Sequence, residues 1–404
     1  MKKKQVIVLR TRWRPERFIF ILLLICICLT PLFMHLLWLL WKPSPLNIVL
    51  LDKTVLTKRG HEHASFSWVL INDKYVKRKD RKLYAIRADY KGFFPLNHEE
   101  YHIDDFELFN PRQIDSLVEA NDMMYITDTY GIYTNEWYSH ARITERSKIV
   151  YGGMTSQELN LLRGFKAQGK LILTEFNCIA SPTKSNIRKD FEQTFGLKWT
   201  GWIGRFYDDL DSANKDLPRW LTRNYMKQHN MQWPFRKSGI VFVREDDHIE
   251  VLENGKDLLD EVPRIYTASE NQENFNIPAI QKYPYWFDIM DITETNKVVS
   301  LYKVKPTARG DSIMTKYDIL KDFPAVIEHY ESDYRFFYFA GDFCDNPISQ
   351  HLRKFKGIHY FRKLLYRDNS VGDREDFFWE YYRPLVSGIL KRYNEELKRS
   401  PSRP

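Results

Sequence analysis

The apolar and polar positions between Met123 and Thr183 predict a strand, a helix and a second strand. Residues 123–126 form an apolar run that ends in Asp128, a turn at Gly152-Gly153 follows, and residues 171–176 form a second apolar run that carries Glu175. Between the runs Thr155 and Glu158 have capping-box spacing, Leu159, Leu162 and Phe165 share one helical face, and Gly169 supplies a left-handed last residue. Short apolar strands joined through a helix pair in parallel and are buried, and their C-terminal ends form the edge where open α/β sheets place sites. Asp128 and Glu175 stand at that edge.

The alternation continues on both sides. Residues 47–51 predict a first strand ending in Asp52, residues 61–71 a helix, 84–90 a strand, 114–120 and 185–195 helices, the second stopped by Gly196, and 220–233 a further helix. Two hairpins are expected, 239–243 with 248–252 and 323–329 with 334–340, besides strands at 283–289 and 297–304 and an amphipathic helix at 377–397. The fold class is α/β, a mostly parallel sheet flanked by helices. A length of 404 residues allows one large domain or two medium ones.

Residues 18–41 are apolar except for Thr30 and His35, and at about 1.5 Å per residue they are long enough for a hydrocarbon core of roughly 30 Å. A cleaved signal peptide competes with this, but the run is long and no small-x-small site follows it. The basic flank is decisive for orientation: Lys2, Lys3, Lys4, Arg10, Arg12, Arg14 and Arg17 against Glu16 carry six of the net eight positive charges. The chain therefore reads as a single-pass protein of a bacterial cytoplasmic membrane, with residues 1–17 cytoplasmic, 18–41 a signal anchor and the rest outside. With most of the basic excess in that tail, no nucleic-acid partner is expected; the membrane is the partner, and protein partners stay open. Lys42-Pro-Ser-Pro45 lies in a short linker, 42–46; an extracytoplasmic domain, 47–345, and a C-terminal helical extension packed on it, 346–404, follow. Cys26 and Cys28 fall in the span, so Cys178 and Cys344 could form one disulfide, and no zinc-ribbon spacing occurs.

Gly152-Gly-x-Thr155-x-x-Glu158 opening a helix, the strand Lys170-Leu-Ile-Leu-Thr-Glu175, and a hairpin with Pro324-Ala-Val326 that ends in Gly341-Asp342 resemble the class I glutamine amidotransferase-like fold. The similarity is to its divergent members without amidotransferase activity, and it implies a flavodoxin-like topology over residues 47–345. An active glutaminase of that family carries its cysteine in Gly-x-Cys-x-Gly and a later His-x-Glu. Cys178 lies in Phe176-Asn-Cys-Ile-Ala180 with no His-x-Glu after it, so glutaminase chemistry is not expected. Asp52-Lys-Thr-Val55 and Tyr285-Trp-Phe-Asp288 also resemble bacterial membrane-anchored proteins of unassigned function.

Candidate chemistry gathers at the strand ends. Asp128, Glu175 and Asp342, with Asp345 and Asp52, could converge on one rim, where paired carboxyls act as acid and base on a glycosidic bond. Tyr130, Trp202 and Trp286, with Tyr133, Trp199 and Tyr285, would suit stacking on sugar faces, so a polysaccharide ligand of the cell envelope is expected. The alternatives are capping acids, core aromatics and a non-catalytic binding or assembly protein on a degenerate fold. Arg205 with Asp208, Asp209 and Asp211 could hold an anion or a cation, but the calcium-loop spacing is missing and a structural Arg–Asp pair is expected instead. His61-Glu62-His63 is expected at the surface rather than in a zinc site, Cys178 as a buried inert thiol, and Gly152-Gly153 as a tight turn that could also receive an anion. No metal and no cofactor is predicted.

Overall fold

The computed structural model describes residues 15–138, 147–293, 295–366 and 370–399. Helix α1 (Pro15–Leu40) contains Leu22–Leu40, among the described residues the one helix long and apolar enough to cross a membrane, a property shared with signal sequences. Its last turns are docked on the domain. Met34 and Trp38 are buried, the Trp38 indole donates to the Ile71 carbonyl at 2.9 Å, and Lys74 Nζ donates to the carbonyls of Trp38, Leu39 and Trp41 at 2.9, 2.8 and 2.7 Å. An ammonium on the final carbonyls satisfies acceptors that a helix end leaves open.

Strands β1 (Ile48–Asp52), β2 (Lys91–Pro95), β3 (Tyr101–Asp104), β4 (Met123–Asp128) and β5 (Leu171–Glu175) alternate with helices α2 (Ala64–Asn72), α3 (Pro111–Ala120), α4 (Ser156–Ala167) and α5 (Ser185–Phe195). The local signals act as their chemistry requires. Thr155 and Glu158 close a capping box at the start of α4, Asn110 and Gln113 do so for α3, and Gly196 ends α5 in the left-handed conformation. The segment at 84–90 is a correction: it forms turns, and the strand lies after it. Tyr84 and Tyr90 are held by their phenols, which donate to the Leu46 and Phe93 carbonyls at 2.6 and 2.9 Å, so their burial owes nothing to a strand.

The second half supplies β6 (Leu197–Tyr207), β7 (Gly239–Arg244), β8 (Ile249–Glu253), β9 (Arg264–Thr267), β10 (Ile280–Lys282), β11 (Trp286–Ile292), β12 (Lys297–Lys303), β13 (Asp322–Tyr330) and β14 (Arg335–Phe339). The main sheet has ten strands in the order β10-β9-β12-β13-β14-β5-β4-β1-β2-β3, and an antiparallel sheet runs β8-β7-β6-β11. The main sheet is mixed, not mostly parallel. Its centre, β2-β1-β4-β5-β14, is parallel in the 2-1-3-4-5 order of flavodoxin-like sheets, while β13, β12, β9 and β10 on one flank and β3 on the other are antiparallel. The predicted C-terminal helix runs Arg383–Arg399 after a wider turn at Phe378–Tyr382, and Tyr393 ties it to the Asp122 carbonyl at 2.7 Å.

Candidate functional site

In the parallel centre β1 is followed by β2 on one side and β4 by β5 on the other, so the β1–β4 junction is the topological switch point. Such a junction opens a crevice at the C-terminal strand ends. There Asp52 and Asp128 face each other as cross-strand partners, and Glu175 ends the next strand. The antiparallel sheet reaches the same edge through the start of β11: the Asp288 amide donates to the Ala340 carbonyl at 2.9 Å and the Asp342 amide to the Trp286 carbonyl at 3.1 Å. The two sheets thereby deliver their acids to one place.

Each carboxyl has its own surroundings. Asp52 is buried, accepts from His63 Nδ1 at 2.6 Å and from the Thr54 amide at 3.0 Å, and His63 turns its Nε2 to the Ile86 carbonyl at 2.7 Å. Asp128 accepts from the Tyr130 amide at 2.6 Å; burial, then Asp52 and Asp288, push its carboxyl well above the usual range. Glu175 is sealed beneath the edge, accepts from the Tyr125 hydroxyl at 3.0 Å, and is pushed up by burial, then by Asp342 and Asp128. Asp342 is half-buried and raised by burial, Asp345 and Asp128, with Arg374 opposing. Glu62, also half-buried, is pushed up to about 10 by burial and by Asp52, with smaller effects from Asp345 and Asp128. Asp288 accepts from Tyr338 Oη at 2.5 Å and from the Asn177 amide at 3.2 Å, and burial pushes it up to about 7.

The cations stand at the rim. The Arg374 guanidinium lies 3.5 Å from the Tyr285 ring centre, donates to the Asp345 carbonyl at 2.6 Å and sits 3.6 Å from its carboxylate. Arg205 lies 4.5, 5.2 and 5.4 Å from the rings of Tyr207, Tyr285 and Trp286, and Trp286 stacks on Phe176 at 6.2 Å. Tyr130, Tyr285 and Trp286 are half-buried, so aromatic faces border the acids.

The structure thus brings Asp128, Glu175 and Asp342 into one electrostatic cluster, and places Tyr130, Arg205 and Trp286 around it. Trp202 lies elsewhere: it is 2% exposed in the core, with the Arg244 guanidinium 5.4 Å from its ring. Asp208 is exposed beyond the end of β6, where Asp211 pairs with Arg236 at 2.6 Å. The tripeptide at 61–63 is a correction. His61 is exposed, but Glu62 turns into the cluster and His63 is fully buried on Asp52. Asp288 and Arg374 also escaped the sequence; a buried-strand pattern running through an aspartate, at Trp286–Ile292, is the one signal that pointed to Asp288.

Gly153 turns with φ at +77°, and its carbonyl accepts from Lys53 Nζ at 2.9 Å. Lys53 also pairs with Glu158 at 2.7 Å, and both are buried, so the start of α4 already holds its own carboxylate. Cys178 and Cys344 are buried unpaired thiols; Cys178 Sγ donates to the Ile126 carbonyl at 3.4 Å. Among the described residues no group of three or more His, Cys, Asp and Glu side chains is arranged to hold a metal.

No protein-family model matches the chain, and no curated protein matches it. Solved structures do. A protein from Bacteroides uniformis has a TM-score of 0.35 and 11% identity over 75% of this chain and 84% of its own. A protein from Parabacteroides merdae has a TM-score of 0.35 and 8% identity over 74% and 79%. Both are ThuA-like proteins. The carbohydrate deacetylase Agd3 matches with a TM-score of 0.30 and 8% identity, over 74% of this chain and 30% of that one. What the edge can do follows from its own residues. Carboxyls that keep their protons near neutral pH can serve as acids, and a carboxylate beside an arginine can serve as the partner base.

Proposed function

We propose that the domain is a carboxylate-dependent glycan hydrolase of the bacterial cell envelope, anchored by α1 with its amino terminus in the cytoplasm. The observation that carries this is the difference between two neighbours at the switch-point edge. Asp342 is half-buried and raised by burial first, then by Asp345 and Asp128, whereas Asp345 is ion-paired with Arg374. Asp342 then protonates the leaving glycosidic oxygen, and Asp345 takes the proton from the water that adds at the anomeric carbon. Burial first, then Asp345 and to a lesser degree Asp128, hold the proton on Asp342, so Asp128 is a positioning residue. Tyr130, Tyr285 and Trp286 offer rings for sugar faces. Glutaminase chemistry has no support in a Cys178 thiol that is buried and pushed up.

The test is turnover of envelope polysaccharide fractions by the full chain. Asp342→Asn should cost at least about 100-fold in kcat while binding persists. Asp128→Asn should leave turnover measurable and move its alkaline limb to lower pH, because the neighbouring repulsion is gone. A parent protein that binds glycan and hydrolyses none would instead favour a binding or assembly protein, for which the sealing of Glu175 and Asp288 under tyrosine hydroxyls already speaks. Orientation has its own check: external protease on intact cells should digest the domain, and protection would overturn the topology.

A further inference from the structure

A cavity of about 740 Å³ opens between the loop before α2, the turns at 85–87 and the segment after Asp345. Its wall carries Arg59, Arg87 and Arg353, with His61 and His351, and no carboxylate lines it. Among the described residues none of the three guanidiniums is in an ion pair; Arg353 meets only the Gln350 amide oxygen at 3.3 Å. Uncompensated arginines in a concave, ligand-sized space form an oxyanion site, since guanidinium forks match carboxylate and phosphate groups. Asn346, Ser349 and Gln350 add neutral polar groups, and Ile86 and Ile348 add apolar wall. Burial lowers Arg353, with no nearby acid to offset it. Position links the cavity to the acids: His61 precedes Glu62, Asn346 follows Asp345, and the Ile86 carbonyl in the wall accepts from the same His63 that holds Asp52.

We propose that this cavity binds an oxyanion-bearing oligosaccharide, its carboxylate or phosphate groups held by Arg59, Arg87 and Arg353. The site rests on the glycan reading of the neighbouring edge, and supplies the substrate class: an acidic polysaccharide that lies across both. Calorimetric titration of the full chain in zwitterionic nanodiscs would use polygalacturonate oligomers, a glycerol-phosphate oligomer, and a neutral glucan of equal length. One or both acidic oligomers should bind, weakening with salt, and the glucan should bind at least about tenfold less tightly, as expected when charged hydrogen bonds are lost. Arg59→Ala with Arg87→Ala, both exposed and peripheral to the fold, should lose that preference with the melting temperature unchanged. Arg353→Lys should keep part of it. Equal affinity for acidic and neutral oligomers, an unaffected double variant, or binding that appears only when anionic lipid replaces the oligomer would each overturn the proposal. Turnover by the parent protein separates the two sites: if the parent hydrolyses no glycan but acidic oligomers still bind and the arginine variants lose them, the hydrolase has failed and the anion site stands.

Discussion

The carboxylate edge and the cationic cavity lie on either side of residues 59–63 and break the pairing of charges in opposite senses. Elsewhere on the surface many ions are paired, as in Arg78 with Asp122, Arg264 with Asp260 and Arg362 with Glu380 at 2.8 Å. At the edge, acids gather with too few cations, and Glu62, Asp128, Glu175, Asp288 and Asp342 are all pushed toward their neutral forms. In the cavity, arginines gather with no acids. A carboxyl can shed its charge by keeping a proton, whereas a guanidinium cannot, so an acid cluster can be buried and an arginine cluster must stay wet or bind an anion. The two regions therefore call for different perturbations, pH for the edge and a ligand for the cavity.

The largest expected effect is the pH response of the edge. Asp288 has a native value of about 7 against 3.8 in its ordinary state, so between those values the native protein keeps a proton that the unfolded chain has released. Stability should thus be full below about pH 4 and fall as pH rises toward 7, by about 4 kcal/mol for this group. Asp288→Asn should match the parent at pH 4 and gain on it as pH rises, as read by urea melts across the window. Parallel curves for the two would break the account of a buried neutral acid. The arginine variants of the cavity should leave the slope alone, because guanidiniums do not titrate there.

Next is Lys53, which follows Asp52 at the acid edge. Lys53 Nζ lies 2.7 Å from Glu158 with both side chains buried, so Lys53→Met leaves an unpaired carboxyl and should cost about 3 kcal/mol in urea denaturation. Glu158→Gln added to Lys53→Met should recover part of that loss. A double variant worse than the single one would mean that Lys53 acts through its bond to the Gly153 carbonyl rather than through charge.

How much of this was legible in the sequence depends on the distance between partners along the chain. Capping at Thr155 and Glu158 and the stop at Gly196 act within a few residues, so the helices α4 and α5 could be read directly. The parallel strands that end in Asp128 and Glu175 were readable as apolar runs. The mixed character of the sheet was legible only at the expected hairpin that became β13 and β14, because β9, β12 and β13 pair across long stretches of chain and show the same apolar runs as parallel strands. His63 was misplaced for the same reason: its partner Asp52 belongs to another element, and three consecutive polar residues resemble a solvated face. Arg374 and Asp345 meet only after the chain has passed through the segment at 346–373.

The smallest expected effect is at the acidic loop after β6, which sets the limit of the comparison. Asp208, Asp209 and Asp211 are as dense in sequence as the acids of the edge, but they stand in water. Asp211 is held below the usual carboxylate range by the Ala213 amide first and by Arg236 second, the opposite direction from Asp128, Glu175 and Asp342. An exposed pair of this kind is screened and contributes little. Asp211→Asn should leave the urea midpoint, its pH profile and glycan turnover where they were, and raising the salt concentration should not separate variant from parent. A resolved loss of turnover would mean that this loop reaches the substrate, and that density of acids, not burial, marks the working part of the molecule.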